Sequence, residues 1–152
     1  MRGFSSIGLF RPKDICNVGG VLRAAHCYDV AMVAIQGDRT RVNTKLDTTK
    51  AYRHIPVLRS DDLFSLIPFD TIPVAIEIID GATPLPRFVH PERAFYVFGP
   101  EDGTLGAQHL SRCRHIVSIP TTNCMNLAAT VNVVLYDRMA KRSQTYSSMA
   151  AE

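Results

Sequence analysis

The sequence contains no tryptophan, only four cysteines and no apolar run approaching twenty residues. The missing run excludes a membrane-spanning helix. Cys16, Cys27, Cys113 and Cys124 form no CxxC pair. Metal-site spacing is therefore absent, and a disulfide framework is unexpected in a chain this apolar. A reduced, cytoplasmic setting with no bound metal follows as the simplest expectation. Met1-Arg2-Gly3-Phe4 leads straight into a strand-like pattern, so no signal peptide is expected. GxGxxG is also missing, which argues against a dinucleotide fold. Repeats, low-complexity tracts and long linkers are absent. What remains is 152 residues, 46% of them hydrophobic, enough for one domain over 1–152 with a real core.

Charge is unevenly spread. Residues 1–59 hold ten Lys/Arg against four Asp/Glu, and the rest hold seven against ten. The first part is thus basic and the second acidic. Such asymmetry fits either a polyanion-binding surface or an ordinary solvated face.

Apolar runs alternate with helix-like segments. Ser6–Phe10, Ala31–Gln36, Ile55–Leu58, Ile72–Ile79, Ala94–Phe98 and His115–Ile119 read as strands. Helices are predicted over Asn17–Tyr28 with Asn17 as N-cap, from Ser60 through Leu66, over Gly106–Arg112 and over Asn126–Arg142. Arg39–Arg53 reads as a basic loop with a short helical turn near Lys50. This alternation predicts an α/β fold, a mostly parallel sheet flanked by helices. In such sheets ligands bind beyond the carboxyl ends of the strands. Three strand ends carry unusual turns: Asp80-Gly81, Gly99–Gly103 and Pro120–Asn126.

Three constellations carry chemistry. In Asn17-Val18-Gly19-Gly20-Val21-Leu22-Arg23, the side chain of Arg23 leans back over Gly19 and Gly20. Either this clears space for an anion at a helix N-terminus, or the glycines merely soften a helix start beside a surface arginine. In Phe98-Gly99-Pro100-Glu101-Asp102-Gly103, an apolar strand stops and presents Glu101. That carboxylate is placed to accept hydrogen bonds from a ligand or an arginine, unless the segment is a plain turn. In the third, Asn126 opens a helix apolar on most sides, with Leu127, Ala129, Val131, Val133, Val134 and Leu135. Such a helix is buried in a monomer, or packs on the core and a second copy at once.

These three segments, in this order, resemble the SpoU branch of the SPOUT methyltransferases, at the length of its minimal single-domain members. The match runs through Asn17–Arg23, Phe98–Gly103 and Ile119-Pro120 with Cys124-Met125-Asn126. The family usually has Ser-Leu where this chain has Cys124-Met125, which exchanges a hydroxyl for a thiol, a weaker hydrogen-bond partner.

The resemblance implies a homodimer whose sheet threads a deep C-terminal trefoil knot. It implies S-adenosylmethionine as cofactor, with S-adenosylhomocysteine as product. Glu77, Ile78, Gly81, Phe98, Gly99, Ile119, Cys124, Met125 and Leu127 would contact it. The implied reaction is methylation of a ribose 2′-hydroxyl in RNA, with tRNA expected over rRNA. Arg23 stays charged and would stabilise negative charge developing on the oxygen rather than act as a base. Asn17, Glu101 and Asn126 would orient the reacting groups. RNA would lie on Arg11, Lys13, Arg39, Arg41, Lys45, Lys50 and Arg53, whose phosphate contacts position without reading sequence. The competing readings are an RNA-binding protein of this fold without catalysis, and a flavodoxin-like nucleotide-binding module.

Overall fold

In the computed structural model, which describes residues 3–40 and 50–150, the elements run β1 (Phe4–Phe10), α1 (Ile15–Cys27), β2 (Val33–Gln36), β3 (Val57–Ser60), β4 (Ile72–Ile76), β5 (Thr83–Pro84), β6 (Arg93–Phe98), α2 (Gly106–Leu110), β7 (His115–Ser118) and α3 (Leu127–Ala150). The described strands form one sheet in the order β3-β2-β1-β6-β4-β7-β5. Every pairing is parallel. The central strands β1 and β6 are buried along almost their whole length rather than on alternate residues. That is the pattern of a parallel sheet covered on both faces.

The two faces are covered unequally. α1 and α3 pack together on one, where Val18, Val21, Leu22, Val131, Val134 and Leu135 meet Ile7, Leu9, Tyr96 and Phe98. Burying each of these larger aliphatic side chains stabilises the fold by ~1.5–3 kcal/mol. The opposite face is thinner: Leu63, Leu105 and Phe95 pack there beneath a 3₁₀ turn, Leu63–Leu66, and short α2. The helix expected from Ser60 through Leu66 is therefore only this turn. Asp62, not Ser60, caps it by accepting from the Phe64 amide. The strand expected to reach Ile79 stops at Ile76, and two-residue β5 follows, too short to leave a period in the sequence.

Asp14 rather than Asn17 caps α1, its Oδ1 accepting from the Cys16 amide at 2.7 Å. The helix starts two residues before Asn17, so the Asn17 side chain is free to reach sideways. Gly20 answers a packing need. A Cβ placed there would stand 2.7 Å from the Cβ of Ala128 on α3. The close approach in this helix is thus to α3.

The far half of α3 is anchored by buried polar groups. Arg138 donates to the carbonyls of Phe4, Pro91 and Glu92 and to the Tyr96 hydroxyl. His90 bridges Tyr96 at 2.6 Å and Asp137 at 2.8 Å. These bonds fix α3 along its length, so that its first turn projects over the carboxyl ends of β4, β6 and β7.

Candidate functional site

A cavity of about 350 Å³ opens at those strand ends. Its floor is apolar, from Ile76, Phe98, Ile119 and Leu127. Its rim carries Glu77, Asn17, Glu101 and Asn126, with Thr121 and Thr130 beside them. None of the lining residues is Lys, Arg or His.

Asn17, Glu101 and Asn126 come from three elements and join in one chain of hydrogen bonds. Asn17 Nδ2 donates to Glu101 Oε1 at 2.8 Å, and Asn126 Nδ2 donates to Asn17 Oδ1 at 2.5 Å. Asn126 Oδ1 in turn accepts from the Ala128 and Ala129 amides, capping α3. The cap fixes which way the Asn126 amide faces. That sets Asn17, whose remaining NH₂ must then point at the carboxylate. Glu101 also accepts from the Lys13 amide at 2.8 Å and the Asp14 amide at 3.3 Å. Burial pushes the Glu101 carboxyl up, but the bonds from Asn17, Lys13 and Asp14 outweigh it and hold the group below its ordinary value. It stands at the cavity rim as a carboxylate with its acceptor positions largely committed.

Glu77 closes the opposite side. Its Oε2 accepts from the Leu105 amide at 3.0 Å and its Oε1 from the Ile78 amide at 3.1 Å. The carboxylate thereby ties the end of β4 to the segment that follows β6. A Cβ on Gly99 would stand 3.3 Å from Leu105 N and 3.5 Å from Glu77 Oε2, so this glycine packs directly against the tie.

Of the residues expected to hold the cofactor, Glu77, Ile78, Phe98, Gly99, Ile119, Cys124, Met125 and Leu127 line the cavity. Gly81 does not. It lies in the following turn with positive φ and open space around it. Pro100, Gly103 and Thr121 on the lining fall within the turns Gly99–Gly103 and Pro120–Asn126 singled out in the sequence, whereas Ile76 and Thr130 lie outside them. Thr130 was legible one helical turn after Asn126, since i and i+4 share a face.

Arg23 is not on the cavity lining. It sits on the exposed side of α1, six residues past Asn17, about 9 Å further along the axis. Of Gly19 and Gly20, expected to leave room for its guanidinium, Gly20 also meets a second demand, the close approach to Ala128 on α3.

The basic residues divide. Arg39 lies off the cavity lining, forking at 3.0 and 2.7 Å onto Asp102, the neighbour in sequence of Glu101, and Lys13 Nζ approaches the same carboxylate at 3.7 Å. These cations, chiefly Arg39, hold the Asp102 carboxyl down at about 2. The Arg11 carbonyl touches Arg39. Lys50 precedes the 3₁₀ turn Ala51–Arg53, Arg53 ends it, and neighbouring His54 stacks on His26 in the last turn of α1. Arg53 therefore lies toward the other end of α1 from Asn17. Arg41 and Lys45 fall outside the described residues.

Among the described residues no helix is long and apolar enough to cross a membrane. Nor does any group of three His, Cys, Asp or Glu among them suit a metal ion.

The chain matches the model of the SpoU rRNA Methylase family over residues 5–136, and it belongs to that family. Many solved structures share its fold, among them these three. The first is the SpoU methyltransferase AviRb from Streptomyces viridochromogenes in complex with AdoMet, 19% identical with a TM-score of 0.82. It is matched over 95% of this chain and 62% of its own. The second is an rRNA methyltransferase from Sinorhizobium meliloti, 18% identical with a TM-score of 0.81, matched over 92% of this chain and 57% of its own. The third comes from work on 2-OH methylation of C/U34 on tRNA, 19% identical with a TM-score of 0.79. It is matched over 93% of this chain and 98% of its own. The chain thus spans about three fifths of the length of the first two. No curated protein matches it.

Proposed function

We propose that this chain is an S-adenosylmethionine-dependent RNA methyltransferase acting on a ribose 2′-hydroxyl, with tRNA as the substrate. The observation that carries this reading is the Asn17–Glu101–Asn126 chain at the rim of a cavity built from three strand ends. Family membership supports the chemistry. The solved structure matched over nearly its whole length concerns tRNA, which favours tRNA over rRNA.

The lining fits the cofactor. About 350 Å³ lies within the usual range for small-molecule pockets. The apolar floor suits an adenine ring, and a lining with two carboxylates and no Lys, Arg or His suits a positively charged sulfonium ligand. When bound, S-adenosylmethionine supplies an activated methyl group. Ile78, Phe98, Gly99, Ile119, Met125 and Leu127 would hold it, with Cys124 in place of the family's usual serine. Asn17 and Asn126 hold Glu101 at the rim, and aligned partners can lower the barrier of a bimolecular transfer by roughly 7–11 kcal/mol. Arg23 would stabilise negative charge on the attacking oxygen. RNA would approach from the side beyond Glu101 and Asp102 that carries Arg11, Lys13 and Arg39.

The working unit is a homodimer, with the C-terminal part knotted, in a reducing cytoplasm that keeps the cysteines as thiols. Val133, Tyr136 and Met139, exposed along α3, supply an apolar strip for the second copy. Calorimetry with S-adenosylhomocysteine tests the cofactor: saturable binding is expected, and no heat and no saturation would overturn it. Light scattering tests the dimer, which a monomer at micromolar concentration would contradict.

A further inference from the structure

Asp102 follows Glu101 directly, yet it faces outward onto two cations. Arg39 gives it both terminal nitrogens, and Lys13 Nζ stands 3.7 Å away. The turn bearing Arg39 is held independently, because Arg59 donates to the Gly37 and Thr40 carbonyls. Arg39 is thus preset, Lys13 stands beside it, and their carboxylate partner comes from the loop that lines the cavity through Pro100, Glu101 and Gly103.

We propose that Arg39 and Lys13 form a subsite for an RNA phosphate, occupied in the free protein by Asp102, and that binding exchanges this carboxylate for a phosphodiester. The proposal rests on the RNA reading above and deepens it. A guanidinium fork donates to carboxylate and to phosphate oxygens by the same two-bond geometry. Both sides of the pair are open to solvent, with side-chain exposures of 29% for Arg39 and 42% for Asp102. An ion pair this exposed holds weakly, so a phosphate supported by neighbouring RNA contacts displaces it. Poorly matched anions, lacking those contacts, do not, and Asp102 therefore sets a threshold for occupancy. Release of Asp102 frees the residue next to Glu101, which links arrival of RNA to the cavity rim.

The test measures binding of unfractionated tRNA and of inorganic tripolyphosphate to the full chain and its variants. Asp102→Asn is expected to tighten both, roughly threefold to fivefold, the scale of an exposed ion pair. Arg39→Ala in the same background should remove the gain. Asp70→Asn is the control, since it removes an equal charge from a similar exposed pair with Arg93, remote from the cavity. If Asp102→Asn weakens binding, or changes it no more than Asp70→Asn with either probe, the exchange is wrong. If Asp102→Asn tightens tripolyphosphate alone and no variant binds tRNA, the anion subsite stands and its assignment to RNA falls with the RNA reading.

Discussion

Asn126 donates to Asn17 at 2.5 Å, joining the first turns of two helices that are 109 positions apart in the chain at these residues. The bond does more than brace α1 against α3. Asn126 is committed through its other side-chain atom to the amides of α3, so Asn17 has one orientation left, with its NH₂ on Glu101.

Replacing Asn17 should therefore unsettle Glu101 more than the fold. Asn17→Ala is expected to cost about 1 kcal/mol of stability, the usual scale of a hydrogen bond. Methyl transfer should fall about 10²-fold, as when a preorganised polar partner is removed. Asn17→Asp places like charge on Glu101, and its carboxyl should titrate higher by NMR. An unchanged Glu101 titration would show that Asn17 does not govern it.

Gly20 and Ala128 form a second pair across the same helices. Alanine normally stabilises a helix interior by about 1 kcal/mol relative to glycine. Here the added methyl meets Ala128 Cβ at 2.7 Å, so Gly20→Ala should instead destabilise by ~1–3 kcal/mol. Ala128→Gly in the same chain should recover much of the loss, measured by chemical denaturation. Simple additivity of the two changes would contradict the contact.

Much of this was legible in the sequence, for identifiable reasons. Strands β1, β2, β6 and β7 announced themselves as short apolar runs ended by glycine, proline or polar residues, and their buried faces bear this out. The start of α1 is ambiguous in the sequence because Asp14 and Asn17 are both good caps, and only the fold shows that Asn17 is needed elsewhere. The packing role of Gly20 is not legible locally, because its contact lies on α3, more than a hundred residues later. The meeting of Lys13 and Arg39 at Asp102 left no periodic trace either.

His90 gives a pH dependence remote from the cavity. Asp137 can only accept, so Nε2 carries the proton and Nδ1 accepts from the Tyr96 hydroxyl, which itself accepts from Arg138. Protonating Nδ1 would set two donors against each other. Asp137 favours the charged ring, while Arg138 and Lys141 oppose it. Burial dominates, and the imidazole is held below its ordinary 6.5. The unfolded chain therefore takes the proton first, and stability is full above pH 6.5 and declines as pH falls below it. His90→Gln should flatten that decline in thermal melts between pH 7 and 5. An unaltered slope would assign the decline to other groups.

Arg23 tests the division between holding the cofactor and using it. Arg23→Ala should leave S-adenosylhomocysteine affinity little changed, since Arg23 is off the cavity lining. Turnover should fall about 10²–10³-fold. Arg23→Lys should not restore it, because an ammonium lacks the planar fork. Near-normal turnover in Arg23→Ala would leave the chemistry to the residues at the rim.

The central claim is transfer of a methyl group from S-adenosylmethionine to a ribose oxygen of tRNA. It is tested by incubating the protein with isotopically labelled S-adenosylmethionine and tRNA, then digesting the RNA and identifying the labelled nucleoside by mass spectrometry. The account predicts label in a 2′-O-methylated nucleoside, with incorporation strongly reduced in Asn17→Ala. Label on a base, or no incorporation into tRNA at saturating cofactor, would contradict it.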